Sequence, residues 1–195
     1  VYASEQVVTD ASGATNLVFL DQTNLYVGAR STVVLDKFIY DTSSGNGDVA
    51  ITFAKGAFRF VTGQIRNKEA VSLRTPTAAI VIRGTDIALF VLDDGTSEIN
   101  VLSGAADIFV CEEREPRRVE TGQSLLISAS CESAMGSART LAGDTLIPEM
   151  PTELAQLTDV APAAGDDPIE DSYPGWEERG KRGDDRERSN KSDNR

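Results

Sequence analysis

The stretch Arg74-Thr-Pro-Thr-Ala-Ala-Ile-Val-Ile-Arg-Gly-Thr-Asp-Ile-Ala-Leu-Phe-Val-Leu92 decides the fold class of this sequence. It contains two continuously apolar runs, 78–82 and 87–92, which are too short for ordinary helices and lack the alternation of half-exposed strands. We therefore expect two central strands covered on both faces. The Arg83-Gly84-Thr85-Asp86 motif between them predicts a sharp bend, because glycine accepts backbone conformations that other residues avoid.

The same four residues, Arg83, Gly84, Thr85 and Asp86, are the main candidate motif of the sequence. A charge as strong as that of Arg83 needs a partner beside so much apolar surface, and Asp86 is the nearest carboxylate. We interpret the pair as a structural tie at a strand corner rather than a ligand site, since ion pairs are common in proteins without a functional role.

Short apolar or alternating runs recur from residue 17 to residue 128, with turn residues between them. This spacing is typical of an all-β sandwich or barrel and predicts about a dozen strands. Lys55-Gly56 is expected to turn the chain from one strand into the next. Glu98 and Asn100 alternate with apolar residues, so one face of their strand is expected to be wet. The predicted fold is a jelly-roll-like β-sandwich or a twisted double sheet.

Three regions are expected along the chain. Residues 1–130 form the β domain, 131–160 a linker with one short helix over 151–157, and 161–195 a disordered tail. The tail is rich in charge and poor in apolar side chains, so it cannot bury enough surface to offset the entropy of ordering.

Composition excludes several classes of function. The 195-residue chain has a net charge of −12, which argues against nucleic-acid binding, since that binding depends on Lys and Arg neutralising phosphates. No apolar run is long enough to span a bilayer. The sequence opens at Val1 without an apolar targeting segment, so we expect a processed or truncated N-terminus.

Histidine is absent, which removes Ser-His-Asp and Cys-His catalysis and the commonest zinc and copper ligands. Cys111 and Cys131 are the only thiols, too few for a structural zinc site. They could form a disulfide, if the protein is exported, or remain two buried free thiols.

Other candidate sites are better interpreted as structure. The loop 41–48 offers oxygen ligands for calcium but lacks the spacing of a calcium loop, so a hairpin loop is favoured. Asp93 and Asp94 are expected to be solvated turn residues, and Phe58 and Phe60 core residues. No catalytic, cofactor or metal site is predicted.

Several motifs in consistent order resemble the FecR domain over roughly residues 5–129. They are Asn16–Asp21, Leu25–Gly28, Val33–Asp41, Lys55–Gly63, Thr75–Thr85, Val101–Gly104 and Thr121–Gln123.

The resemblance implies a periplasmic or secreted, non-catalytic all-β module with a protein partner, or a surface polymer, in the cell envelope. The alternative that it implies is the periplasmic sensory part of a sigma-factor regulator, which relays the state of an iron-siderophore receptor. The resemblance implies no cofactor, and the oligomeric state is left open.

Overall fold

The computed structural model describes residues 5–67, 70–139 and 148–150, all within the first of the two units, Val1–Ala161, into which the chain divides. These residues form thirteen β-strands, and the predicted all-β class is confirmed. The strands are β1 Glu5–Val8, β2 Thr15–Val18, β3 Asn24–Val27, β4 Thr32–Asp41, β5 Asn46–Val61, β6 Val71–Thr75, β7 Ala78–Ile82, β8 Asp86–Val91, β9 Ser97–Ser103, β10 Ala105–Val110, β11 Arg117–Glu120, β12 Gln123–Ile127 and β13 Ser133–Ser137.

The strands form two sheets that share β5. Sheet A has the order β1-β4-β5-β6-β7-β10-β11, and sheet B has the order β2-β3-β5-β8-β9-β12-β13. All pairs are antiparallel except β5 with β6. The first part of β5 pairs with β4 and β6, and the part from Gly56 onward pairs with β3 and β8. The architecture is therefore a double sheet that folds over along one strand.

The fold-over point of β5 is Gly56, where the sequence predicted a turn between two strands. That prediction was wrong, because the chain stays in one 16-residue strand and changes sheet within it. Gly56 has φ +116°, and a Cβ atom there would lie 2.1 Å from the Ser31 hydroxyl oxygen and 2.5 Å from its Cα. Only glycine combines this backbone angle with so close an approach of the neighbouring segment.

The bend around Gly84 carries the chain from β7 in sheet A to β8 in sheet B. Both predicted central strands exist, and Gly84 has the positive φ, 68°, that a sharp bend requires. β8 is buried on both faces as predicted, whereas Ala79 and Val81 of β7 are half-exposed. The reason is that other described residues of the chain pack on the outer face of sheet B at β8, whereas the outer face of sheet A at β7 is partly exposed to solvent.

The hydrophobic core lies between the two sheets. Its largest fully buried side chains include Phe53, Phe58 and Phe60, all with no exposed surface, so the two predicted core phenylalanines are core residues. Each side chain of this size contributes about 1.5–3 kcal/mol when it is buried. This core, rather than any one polar contact, holds sheets A and B together.

β13 was not predicted. It follows the last strand that the sequence pattern indicated, pairs with β12, and has the sequence Ser-Ala-Met-Gly-Ser, in which only Met135 is large. The division of the chain at residues 130 and 160 stays a prediction. The expected helix at 151–157 and the expected tail at 161–195 lie outside the described residues.

Candidate interaction surface

The Arg83 motif does not make the predicted tie. Asp86 receives a bidentate pair from Arg59, with Nε–Oδ1 at 2.9 Å and Nη2–Oδ2 at 2.7 Å. The hydrogen bond to Asp86 raises the pKa of Arg59 above its usual value. Arg83 instead donates from Nε to Asp107 at 2.9 Å. The bend separates the two predicted partners, since Asp86 begins a strand of sheet B while Arg83 stays beside β10 of sheet A.

Cys111 and Cys131 are joined by a disulfide, with their Cα atoms 6.1 Å apart. Cys111 follows β10 in sheet A, and Cys131 lies in the turn between β12 and β13 in sheet B. The bond is therefore a covalent tie between the two sheets. It also anchors the turn from which β13 begins.

The candidate oxygen ligands serve the turns in which they lie. Asp41 accepts the hydroxyls of Ser43 and Ser44 at 2.6 and 2.7 Å, which lowers its pKa to about 2. Asp94 accepts the backbone N–H of Thr96 at 2.8 Å and also its hydroxyl. Within residues 5–67, 70–139 and 148–150, no group of three or more Asp, Glu or Cys side chains is placed to hold a metal ion.

The outer face of sheet B, the face turned away from the core, carries an apolar cluster. The strand register places Ala57, Phe90, Glu98, Leu126 and Ala134 in one row across β5, β8, β9, β12 and β13. Ala57, Ala88, Phe90 and Leu92 are buried there, with Leu102, Leu126 and Met150 packed against them. This face is therefore partly covered by the protein's own chain.

Glu98 and Asn100 are buried in this face, so the expectation of a wet face was wrong. Arg139 Nε lies 2.9 Å from both carboxylate oxygens of Glu98, and the Arg139 N–H donates to Asn100 Oδ1 at 2.8 Å. Met150 packs on the same face, and the Pro148 carbonyl lies so close to Gly28 that a Cβ there would be 2.4 Å from it. The alternation of β9 could not reveal this cover, because it comes from Arg139, Pro148 and Met150, which lie far along the chain.

β13 is a free edge of sheet B, since it pairs only with β12 in the part of the chain that the structure describes. Ala138 N–H donates to Gly122 O, and Ser128 N–H to Glu132 O. Hydrogen-bonded pairs alternate along an antiparallel ladder, so Gly136 and Ala134 bond to β12. The groups that point outward from β13 are therefore the N–H and C=O of Ser133 and Met135 and the N–H of Ser137. The Ser137 C=O already accepts a hydrogen bond from the Ser124 hydroxyl of β12 at 3.1 Å.

The free edges of the two sheets differ in charge. β11, an edge of sheet A, carries Arg117, Arg118 and Glu120, and charged side chains of this kind protect an edge from pairing with another strand. β13 carries no charge, and neither does the opposite edge of sheet B, β2. Met135 of β13 is 50% exposed.

A groove of about 680 Å³ adjoins β13 on the outer face of sheet B. It lies between the turn from β8 to β9 and the turn from β12 to β13. Its lining residues are Asp94, Thr96, Leu126, Ser128, Ala129, Ser130, Glu132, Ser133 and Ala134. An uncharged strand edge beside a groove has the two parts that strand addition uses, main-chain groups for affinity and a recess for a side chain.

The chain belongs to the FecR family, whose model, described as FecR protein, matches residues 5–107. The match includes the strands from β1 through the first half of β10 and ends before the disulfide and β13. No match was found among curated proteins.

The fold is similar to that of two crystal structures from Parabacteroides distasonis, at 2.50 and 1.65 Å resolution, each described as a putative anti-sigma factor. The TM-scores are 0.53 and 0.54, at 13% and 12% sequence identity. In both cases the likeness covers 69% of this chain and 60% of the other chain. It therefore establishes a shared fold over part of those proteins.

Among the described residues, no helix has the length and apolar character to cross a membrane.

Proposed function

We propose that this protein is a non-catalytic interaction module of the bacterial cell envelope that binds an extended segment of a partner protein along β13. The observation that carries the proposal is the uncharged edge of β13, which pairs only with β12 among the described residues and presents the main-chain groups of Ser133 and Met135 beside a groove. Strand addition gives affinity through main-chain hydrogen bonds and needs no conspicuous sequence motif.

The compartment is proposed on two grounds. FecR domains are expected in the periplasm, and the disulfide between Cys111 and Cys131 persists in an oxidising compartment rather than in the cytosol. The disulfide also supports the binding role. It holds the turn before β13 in place, so less ordering entropy opposes the capture of a partner strand.

A second candidate is the periplasmic sensory part of a FecR-type sigma-factor regulator. The likeness to chains described as anti-sigma factors favours it, and it also requires a protein partner. The two candidates differ in what precedes the domain. A cytoplasmic helical segment and a membrane span encoded upstream of residue 1 would select the regulator, and a signal peptide alone would select the independent module.

The test is a pull-down from an envelope extract with three variants as bait. Met135→Pro removes an N–H that points outward from β13, so no hydrogen bond to β12 is lost. Proline is tolerated at such edge positions. Met135→Ala keeps the N–H and removes the side chain. Val18→Pro is the matched control, since the alternation along β2 makes Val18 N–H point outward from the other uncharged edge of sheet B.

We expect wild type, Met135→Ala and Val18→Pro to capture the same envelope protein, and Met135→Pro to lose it while keeping its thermal stability. Equal capture by Met135→Pro would overturn strand addition at β13. Sustained hydrolysis of a glycan or peptide, lost on a carboxylate replacement such as Asp36→Asn, would overturn the non-catalytic role.

A further inference from the structure

We infer that the β13 edge selects an extended partner segment bearing a Lys or Arg side chain, which enters the groove between Glu132 and Asp94. The inference rests on the proposed function and specifies the chemistry of the partner. The direction, the charge and the apolar surface of the groove's side chains support it, together with the net charge of the whole chain.

The first feature is the direction of the side chains at the edge. Residues two apart on a strand share a face, and Ala134 lies on the outer face of sheet B in the row of Leu126. The ladder continues to Glu132, whose carbonyl accepts the Ser128 N–H at 2.8 Å, so Glu132 falls on this same face. A strand added to β13 would place one side chain beside Ala134 and the next one on this face beside Glu132.

The second feature is the charge of the groove. Among the described residues, its lining contains two carboxylates, those of Glu132 and Asp94, and no Lys or Arg. Glu132 is exposed, and its carboxylate makes no hydrogen bond or ion pair with any residue that the structure describes. Asp94 is also exposed, and within the described part of the chain its carboxylate accepts hydrogen bonds from Thr96 alone. A cation arriving beside Glu132 would therefore gain a partner without breaking an existing pair.

The apolar part of the groove sets the rest of the recognition. Leu126 is half-buried and Ala134 exposed, and together they form a shallow apolar surface next to the two carboxylates. This arrangement suits the aliphatic stem of Lys or Arg, which packs along apolar surface while its charged end remains in water. It disfavours an acidic segment, which would meet like charge at both carboxylates.

The net charge of the chain decides whether the occupant is a different partner or a second copy of this protein. The net charge of −12 makes self-association unfavourable through repulsion. In a symmetric antiparallel pairing of two β13 strands about Met135, Glu132 of one copy would face Ala138 of the other and meet no cation. A different, basic segment is therefore the occupant that fits.

The experiment uses the intact protein and three end-capped peptides of alternating Thr and Val that differ only at a central Lys, Met or Glu. Fluorescence anisotropy gives Kd at low and at high salt, for wild type, for Glu132→Gln with Asp94→Asn, and for Met135→Pro. We expect Lys to bind tightest and Glu weakest, with the double replacement weakening the Lys peptide about fivefold, as loss of an exposed ion pair does. High salt should compress the same order.

The inference fails if the Glu peptide binds as tightly as the Lys peptide, or if the double replacement leaves the order unchanged. It also fails if none of the peptides binds while the envelope partner is captured by wild type and lost by Met135→Pro. The proposed function then survives. Loss of preference together with equal binding to Met135→Pro would overturn both. Self-association that competes with the Lys peptide would identify a second copy as the occupant and overturn the inference.

Discussion

The outer faces of the two sheets carry the same kind of ion pair in different surroundings. On sheet A, Arg83 and Asp107 pair at 2.9 Å with side chains 47% and 15% exposed, and Arg118 lies 3.6 Å from Asp107 as a second cation. On sheet B, Arg139 and Glu98 pair at 2.9 Å with side chains 33% and 6% exposed. The Arg83–Asp107 pair is therefore largely solvated, whereas Arg139 neutralises the buried charge of Glu98.

The difference follows from what covers each face. Sheet A alternates buried and half-exposed residues along β7 and β10, as a sheet with one wet face does. Sheet B is covered at its centre by Arg139, Pro148 and Met150, and its outer face is open at the groove near β13. The proposed binding site therefore lies where the cover of sheet B ends.

The largest expected effect comes from breaking the strand that joins the two faces. We expect Gly56→Ala to lower the free energy of unfolding by about 4 kcal/mol, combining backbone strain with overpacking against Ser31. Gly122→Ala is the matched control, because Gly122 also has a positive φ, +82°, but has open space around it. It should cost only about 1 kcal/mol.

Urea midpoints of the two glycine variants measure this difference. Equal midpoints would mean that the close approach of Ser31 is relieved by small movements, and that β5 is not the rigid junction between sheets A and B.

The second effect concerns the covalent tie between the sheets. We expect removal of the disulfide, by reduction or by Cys111→Ala with Cys131→Ala, to cost about 3 kcal/mol, since a bond between residues 20 apart constrains the unfolded chain. Amide exchange should increase most in the turn between β12 and β13. Unchanged exchange there would contradict the role of the disulfide in fixing the β13 edge.

The strands of this fold could be predicted from sequence to the extent that burial leaves a local pattern. The apolar runs of β7 and β8 gave their positions almost to the residue, and glycine between them gave the bend. Phe58 and Phe60 of β5 could be assigned to the core from alternation with Arg59. These features depend on a few neighbouring residues.

The rest depends on contacts between residues far apart in sequence. Lys55-Gly56 has the composition of a turn, and only the approach of Ser31 decides that the strand continues. Asp86 follows Arg83 closely in sequence, but its partner Arg59 is 27 residues away. β13 has one large apolar residue, Met135, among four small ones and no alternation, so no strand signal marks the edge on which the proposed function rests.

The third prediction tests the contrast between the ion pairs directly. Arg139→Ala leaves Glu98 buried without this cation, and we expect a loss of about 2 kcal/mol, the order found for hydrogen bonds to buried charged groups. Arg83→Ala should cost about 0.5 kcal/mol or less, because that pair is largely solvated and Arg118 remains near Asp107. Thermal or urea unfolding of both variants decides the matter, and similar losses would mean that the cover of sheet B contributes nothing to this pair.

The smallest effect is at Asp41, where the hairpin between β4 and β5 extends from sheet A into solvent. Hydrogen bonds from Ser43 and Ser44 lower the folded-state pKa of Asp41 from its ordinary 3.8 to about 2. A lowered folded-state pKa contributes stability that is present above pH 3.8 and is lost as the pH falls through about 2.

We therefore expect Asp41→Asn to be slightly less stable than wild type at neutral pH, with the difference shrinking as the pH falls from about 4 to about 2. Ser44→Ala removes one of the two hydroxyl donors and should move the Asp41 pKa back toward 3.8, which a carboxyl NMR titration measures. A pKa that stays near 2 in Ser44→Ala would show that Ser43, through its hydroxyl and its N–H, is sufficient to stabilise the carboxylate. A wild-type pKa near 3.8 would mean that the loop does not keep both hydroxyls on Asp41 in solution.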